Sequence, residues 1–270
     1  MCRWLAYTGA PINMDELLLK PEHSMIDQSR HALQSTYEIN ADGFGVGWYG
    51  AHAEPGVYHD VRPIWNDTNF HDLSRHVQSH LFLCHIRASS GAPVVRVNCH
   101  PFRYGRWLFQ HNGDIGQFGK IRHALSSRID PEFFANMNGA TDTETMFHLA
   151  LTHGLMDDPI AGMRRMIEDV ESHREQAGIE EPFRMTVAVS DGSSLWSFRH
   201  ASHGVPPSLY HSTSKSALQD APGSSFTLPD DSVIILSEPL DSVSEHWVEV
   251  PPSSVLIVEP GNAEIQPLLG

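Results

Sequence analysis

Hydrophobic positions alternate with a period of two toward both ends of the chain, and helical spacing takes over in the middle. Arg3 to Thr8 reads as an opening strand, Met14 to Leu19 as a short helix stopped by Pro21, and Asp27 to Leu33 as a further helical turn or two. In Asp42 to Tyr49 the glycines at 43, 45 and 47 alternate with Phe44, Val46 and Trp48, which predicts a strand with one bulky and one bare face. A bare face means that something approaches the backbone closely: a tightly packed sheet interior, a substrate, or the chain's own amino terminus. Gly56 to Arg62 is the expected returning strand, Trp65 to Phe70 is polar and turn-like, and Asp72 to Ser79 is a possible helix. The apolar run from Leu81 ends in His85 and Arg87 and predicts a strand buried on both faces. Arg106 to Asp114 predicts another strand, running into a turn.

Thr141-Asp142-Thr143-Glu144 fits a capping box, followed by Met146, Phe147, Ala150 and Leu151 at helical spacing. Asp158 and Pro159 open a second helix with Ile160, Met163, Ile167 and Val170 on one face. Met185 to Val189 and Leu195 to His200 flank Asp191-Gly192, a hairpin signal. Ser202 to Ser225 predicts a surface loop around a short strand at Ser208 to His211, and Val233 to Leu236, Trp247 to Val250 and Val255 to Val258 predict closing strands. Strands, then two helices, then strands suggest two sheets with helices packed outside.

Composition narrows the functional classes. The 270 residues suffice for one large core, and 40% hydrophobic with 19% charged residues reads as soluble and globular. No run approaches a membrane span and no signal peptide is recognisable, so a cytoplasmic protein without membrane attachment is expected. Three cysteines argue against a disulfide framework. A net charge of −15 argues against nucleic acid as partner. The 18 histidines form no metal-ligand motif, so neither metal nor cofactor is expected.

Candidate chemistry starts at Met1-Cys2. Loss of Met1 would leave a thiol and a free α-amine on one residue, and that amine can act as base for its own side chain. Arg87, at the end of a buried strand, needs an anion: a structural carboxylate or the carboxylate of a substrate. Asn112-Gly113 is a turn signal, and it is also a side-chain amide beside an unhindered backbone N–H, a pair able to serve as an oxyanion hole. Asp142 in the first turn of its helix is accounted for by the helix dipole alone. Cys84 and Cys99 read as small buried hydrophobes.

Met1-Cys2-Arg3-Trp4-Leu5, Asp42-Gly43-Phe44-Gly45-Val46-Gly47-Trp48, His85-Ile86-Arg87-Ala88-Ser89-Ser90, Asn98-Cys99-His100-Pro101-Phe102, His111-Asn112-Gly113 and Thr141-Asp142-Thr143-Glu144 occur in this order. Together they resemble the class II glutamine amidotransferases, N-terminal-nucleophile hydrolases, and within them the stand-alone γ-glutamyl hydrolase-like members. The resemblance covers nearly the whole chain. It implies an α+β fold, a four-layer αββα sandwich of two mainly antiparallel sheets, in a single domain over residues 1–270. It assigns Cys2 as nucleophile, Asn112 and Gly113 as oxyanion hole, Arg87 to the α-carboxylate of a glutamyl group and Asp142 to its α-ammonium. Ser90 would support the turn after Arg87, Asp42 and Gly43 would line the wall beside the nucleophile, and His100 has no derivable role. The implied activity is hydrolysis of a γ-glutamyl amide through a Cys2 thioester. The alternatives are a glutaminase subunit feeding ammonia to a separate synthase partner and an inactive γ-glutamyl-binding protein. Loops at Trp65 to Phe70 and Ser202 to Ser225 are the expected builders of the leaving-group pocket.

Overall fold

The computed structural model describes residues 2–34, 38–89, 91–213, 228–229, 231–259 and 262–269. Its strands are β1 (Arg3–Asn13), β2 (Phe44–Trp48), β3 (Gly56–Asp60), β4 (Gln78–Ile86), β5 (Phe102–Tyr104), β6 (Trp107–Ile115), β7 (Phe183–Ser190), β8 (Leu195–Ala201), β9 (Tyr210–Ser212), β10 (Val233–Leu236), β11 (Trp247–Glu249), β12 (Ser254–Glu259) and β13 (Asn262–Pro267). The helices are α1 (Asp15–Leu18), α2 (Met25–Arg30), α3 (Thr68–His76), α4 (Phe118–Ser126), α5 (Pro131–Phe134), α6 (Asp142–Thr152) and α7 (Pro159–Gln176). The strands form a seven-stranded sheet, ordered β11-β9-β10-β1-β4-β2-β3, and a six-stranded sheet, ordered β13-β12-β8-β7-β6-β5. Neighbouring strands pair antiparallel.

Strand alternation builds the four layers. On β1, Trp4 and Ala6 point inward to a core shared with Leu108 of β6 and Ala188 of β7. Leu5 and Tyr7 point outward, into a core with Leu17 of α1, Met25 of α2 and Phe70 of α3. On β6, Phe109 points outward with Val187 and Phe198 against Phe147 of α6 and Met163 of α7. Both sheets therefore bury both faces, which is why their central strands carry near-continuous apolar runs. The expected αββα sandwich is the observed one. Among the described residues no helix is long and apolar enough to cross a membrane.

The bare face of β2 proves to be sheet interior. A Cβ at Gly45 would fall 2.2 Å from the His100 carbonyl oxygen, and one at Gly47 would fall 2.8 Å from Leu108 and Pro101 side-chain atoms. It is this segment, not a substrate or the amino terminus, that lies across the glycines.

Several expectations shift. Asn112-Gly113 is no turn: every residue from Leu108 to Ile115 pairs with β7, so the dipeptide stays in the ladder. The chain turns only afterwards, where Gln117 adopts φ 49°. Helix α3 starts at Thr68 rather than Asp72, because the Asp67 carboxylate accepts the Phe70 N–H at 3.1 Å. Helices α4 and α5 were not anticipated; α4 buries only Ile121 and Leu125, too few to make a periodic pattern. Strand β13 is polar because it is an edge, paired among the described residues with β12 alone. The loop expected over Ser202 to Ser225 lies partly outside the described residues; its short strand runs from Tyr210 to Ser212.

The capping expectations hold with one change. Asp158 accepts the Ile160 and Ala161 N–H groups, and Thr141 accepts that of Glu144. The Glu144 carboxylate does not return to Thr141; it accepts the N–H groups of Asn138 and Gly139, at 2.7 and 2.8 Å.

Phe147 is fully buried and stacks on Phe109 at 5.0 Å between centroids, joining α6 to the six-stranded sheet. Phe147→Ala is expected to lower unfolding free energy by about 3–5 kcal/mol in urea denaturation. A loss below about 1 kcal/mol would mean that this layer repacks freely.

Candidate active site

The amino terminus is held from below. Trp4 donates its N–H to Ser237 Oγ at 3.0 Å, and its carbonyl accepts the Ser237 N–H. Arg3 is fully buried and donates to Glu238 Oε2 at 3.0 Å and to the Gln34 carbonyl at 3.1 Å. Glu238 also accepts the N–H groups of Leu33 and Gln34, and its Oε1 lies 2.6 Å from His23 Nε2. A buried pair of charges is costly unless its remaining polar sites are bonded; both Glu238 oxygens are, whereas Arg3 Nε has no partner among the described residues.

Cys2 thus sits, half-buried, at the mouth of the central strand β1. Its thiol donates to the Ala88 carbonyl at 3.5 Å, and the Ala88 N–H points back at Sγ at 3.4 Å. Burial pushes the thiol upward, opposed by the Ala88 N–H, the chain's amino-terminal charge, Arg87 and Arg3. Cys84 and Cys99 are buried, and burial raises both.

Cys2 opens onto a cavity of about 500 Å³. Arg87, Ala88 and Ser89 form one side of it, His111 and Gly113 line it from the six-stranded sheet, His100 from the loop before β5, and Thr141, Asp142 and Thr143 close it at the start of α6. Arg87 is 4% exposed. Its guanidinium donates to neutral acceptors only, the carbonyls of Ala92 and Pro93 and Ser89 Oγ, and meets no carboxylate among the described residues. The Asp142 carboxylate accepts the Thr143 N–H at 2.8 Å and the Ile115 N–H at 3.1 Å.

That second bond orients β6. Strand β5 pairs only as far as Phe109, so beyond it the outer edge of β6 has no strand partner among the described residues. Ile115 donates from that edge to Asp142, and strand alternation places the Gly113 N–H on the same edge, facing the cavity. Gly113 has φ +140°, and a Cβ there would fall 2.0 Å from the Arg184 carbonyl oxygen, so no other residue fits. The Asn112 side chain is not among the residues that line the cavity; strand alternation turns it into the space between the sheets, the face from which Gln110 reaches the Leu5 carbonyl of β1 and the face of β1 that Trp4 and, two residues before it, Cys2 share. Asn112 is buried and neither of its amide atoms has a hydrogen-bond partner among the described residues, a cost that a buried amide seldom carries.

Asp42 and Gly43 do not line the cavity. They hold its wall: Asp42 Oδ2 accepts the Ser89 N–H at 2.7 Å, and the Gly43 carbonyl accepts the Arg87 N–H at 2.9 Å. Ser90 lies outside the described residues. Residues 65–70 take no part in the cavity; its far end is built by Gln117, Phe118, Gly119 and Arg122 of the β6–α4 region. Asn98, given no role by the sequence, donates to the Pro93 carbonyl and accepts the Ala140 N–H, tying two walls together. No local pattern distinguishes such a bridging amide from an ordinary loop asparagine.

The histidines lining the cavity, His100 and His111, and His85 behind them are kept neutral. His100 and His85 stack at 4.0 Å between centroids. Burial, reinforced by neighbouring positive groups, pulls His100 well below its ordinary value and His85 down to about 3. Burial also lowers His111, against the pull of Asp142. At neutral pH the charges around the cavity are therefore those of arginines and carboxylates. Among the described residues no group of three or more His, Cys, Asp or Glu side chains could hold a metal ion.

A model of the class II glutamine amidotransferases matches residues 28–267, a span that begins downstream of Cys2. The probable glutamine amidotransferase DUG3 of Saccharomyces cerevisiae is 30% identical over all of this chain and 85% of its own length. The γ-glutamyl-hercynylcysteine sulfoxide hydrolase of Mycobacterium tuberculosis is 35% identical over 43% of this chain and half of its own. Among solved structures, a glutamine aminotransferase class-II domain protein from Silicibacter pomeroyi superposes with a TM-score of 0.75, at 32% identity, over 98% of both chains. The glutamine phosphoribosylpyrophosphate amidotransferase of B. subtilis superposes with a TM-score of 0.62 at 14% identity, over 99% of this chain and 49% of its own, which speaks for the fold alone.

The anchor below Cys2 has a pH signature. Burial disfavours the His23 cation, but its bonds to Glu238 and Asp27 prevail and hold it above its ordinary value. A raised folded-state value contributes stability that is full below the unfolded value near ~6.5 and is lost as pH rises through the folded value. The unfolding free-energy gap between wild type and His23→Gln is therefore expected to be larger at about pH 6 than at about pH 9. A gap that grows with pH would contradict the charged His23–Glu238 contact.

Proposed function

The chain belongs to the class II glutamine amidotransferases, and on that footing we propose that it hydrolyses a γ-glutamyl amide through a thioester on Cys2. The observation that carries this reading is the placing of Arg87, free of any carboxylate among the described residues, and of Asp142 on the cavity that the Cys2 thiol enters. A γ-glutamyl group presents a carboxylate, an ammonium and an amide at fixed separations. A cation, an anion and a nucleophile around one cavity match it.

In this reading Met1 is removed and the α-amine of Cys2 takes the thiol proton. Sγ attacks the amide carbon, and the oxyanion that forms is held by the Asn112 side-chain amide and the Gly113 N–H. The C–N bond then breaks and the amine leaves with the proton carried by the α-amino group. Water, deprotonated by the same amine, cleaves the thioester and releases glutamate. The unpartnered Asn112 amide suits this role, since a donor kept free of internal partners is ready for charge that appears only in the transition state. Asp42 and Gly43 act through the backbone of Arg87 to Ser89 rather than by contact.

Two measurements test this. Intact mass with a glutamine-analogue electrophile is expected to show loss of Met1 and one label on wild type, with none on Cys2→Ala. Retention of Met1 with an unlabelled Cys2 would exclude the mechanism. In steady-state kinetics on glutamine or another γ-glutamyl amide, Asn112→Ala is expected to lower kcat by about 10²–10³ with little change in KM. An equal loss in binding alone would move Asn112 out of the oxyanion hole.

A further inference from the structure

We propose that His111 is a positioning residue for the substrate's α-ammonium: its bare Nδ1 takes the hydroxyl proton of Thr143 and so keeps that hydroxyl from occupying the Asp142 carboxylate. The inference rests on the γ-glutamyl hydrolase reading above, in which Asp142 receives the ammonium, and it gives a role to two cavity residues that the reading leaves unassigned.

Three side chains on the cavity wall form a chain. His111 Nδ1 lies 2.9 Å from Thr143 Oγ1, and Thr143 Oγ1 lies 3.4 Å from Asp142 Oδ1. Among the described residues the Thr143 hydroxyl bonds to these two groups alone, so its single proton has two acceptors to choose between. The far side of the imidazole decides the choice. His111 Nε2 faces the Arg184 carbonyl oxygen at 3.5 Å, and a carbonyl can only accept, so the ring proton belongs on Nε2. The ring has little freedom to turn: it is buried, and a Cβ built on Gly113 would fall 2.8 Å from Nε2. Burial keeps His111 neutral against the pull of Asp142 and Asp114, and His85, which donates to the His111 carbonyl at 3.0 Å, is neutral as well. A neutral ring with its proton on Nε2 leaves Nδ1 bare, and the shorter of the two contacts takes the Thr143 proton.

The consequence falls on Asp142. Its Oδ1 accepts the Thr143 N–H and its Oδ2 the Ile115 N–H. A carboxylate offers about four lone-pair sites, so each oxygen keeps capacity for a donor from the cavity. A hydroxyl turned onto Oδ1 would take up part of that capacity and part of the charge that an ammonium needs. With the imidazole acceptor gone, Asp142 is the acceptor that remains to Thr143 among the described residues. His111 thus acts on the ammonium through Thr143 and Asp142, without contact of its own.

The test removes the acceptor and then the hydroxyl. In steady-state kinetics on glutamine or another γ-glutamyl amide, His111→Leu is expected to raise KM about tenfold with kcat changed by less than about threefold, and adding Thr143→Val to it is expected to return KM most of the way to wild type. Glutamate and glutarate differ by the ammonium alone. As inhibitors, glutamate is expected to weaken about tenfold in His111→Leu, and glutarate by less than about twofold. A KM rise that Thr143→Val does not relieve, or an equal loss for both inhibitors, is the behaviour of a merely structural histidine and overturns the proposal. If His111→Leu does not fold, nitrogen NMR of histidine-labelled wild type and Thr143→Val reads the tautomer directly. The expected result is a proton on His111 Nε2 and a bare Nδ1 whose resonance moves when the Thr143 hydroxyl is lost. A proton on Nδ1 overturns the proposal. If wild type neither hydrolyses a γ-glutamyl amide nor binds glutamate, the γ-glutamyl reading itself fails and this inference falls with it.

Discussion

The site depends on the insertion of the chain's first strand into the middle of a sheet. Strand β1 lies between β10 and β4, so its hydrogen bonds run out on both sides and its position is set to within a fraction of a residue. At its start, where strands normally fray, the fully buried Arg3 is tied to Glu238, and Glu238 is tied in turn to His23 and two backbone N–H groups. An amino terminus is ordinarily the least ordered part of a chain. Here it is tied down like a core element from Arg3 onward, and Cys2 projects from the end of the ladder.

Around that fixed point the walls come from elements distant in sequence, and each is held largely by side chains that bond backbone groups without lining the cavity themselves. Asp42 and Gly43 clamp the stretch that carries Arg87. Asn98 joins the Pro93 and Ala140 segments, and Glu144 ties down Asn138 and Gly139. The functional groups can then remain under-bonded: among the described residues the Asn112 amide has no partner, and the Arg87 guanidinium meets neutral acceptors only. Keeping the enclosed histidines neutral prevents them from competing with a ligand for the same carboxylates.

Much of this was legible in order along the chain. Alternation marked the strands, Asp158 and Thr141 marked helix starts, and the Asp191-Gly192 hairpin lies where the turn chemistry put it. The glycines of β2 announced a close approach but not its agent, because a bare strand face has the same pattern whether a substrate or the His100-Pro101 segment covers it. Asn112-Gly113 carried two readings that only the β7 ladder separates: a turn dipeptide paired along its whole length is no longer a turn. Helix α4 escaped because it packs by two side chains, and with it escaped the far end of the cavity.

By itself the sequence determined the residue types and their local roles: a cysteine beside the amino terminus, an arginine ending a buried strand, an asparagine before a glycine, and caps where helices begin. These follow from backbone stereochemistry and from burial over a few residues. Tertiary structure alone decided which of them share a cavity, that Arg87 meets no carboxylate among the described residues, that Asp42 supports rather than lines, and that α4 lines the same cavity. Those facts depend on how two sheets stack and where long-range strand pairing brings their ends, and no local pattern carries that information.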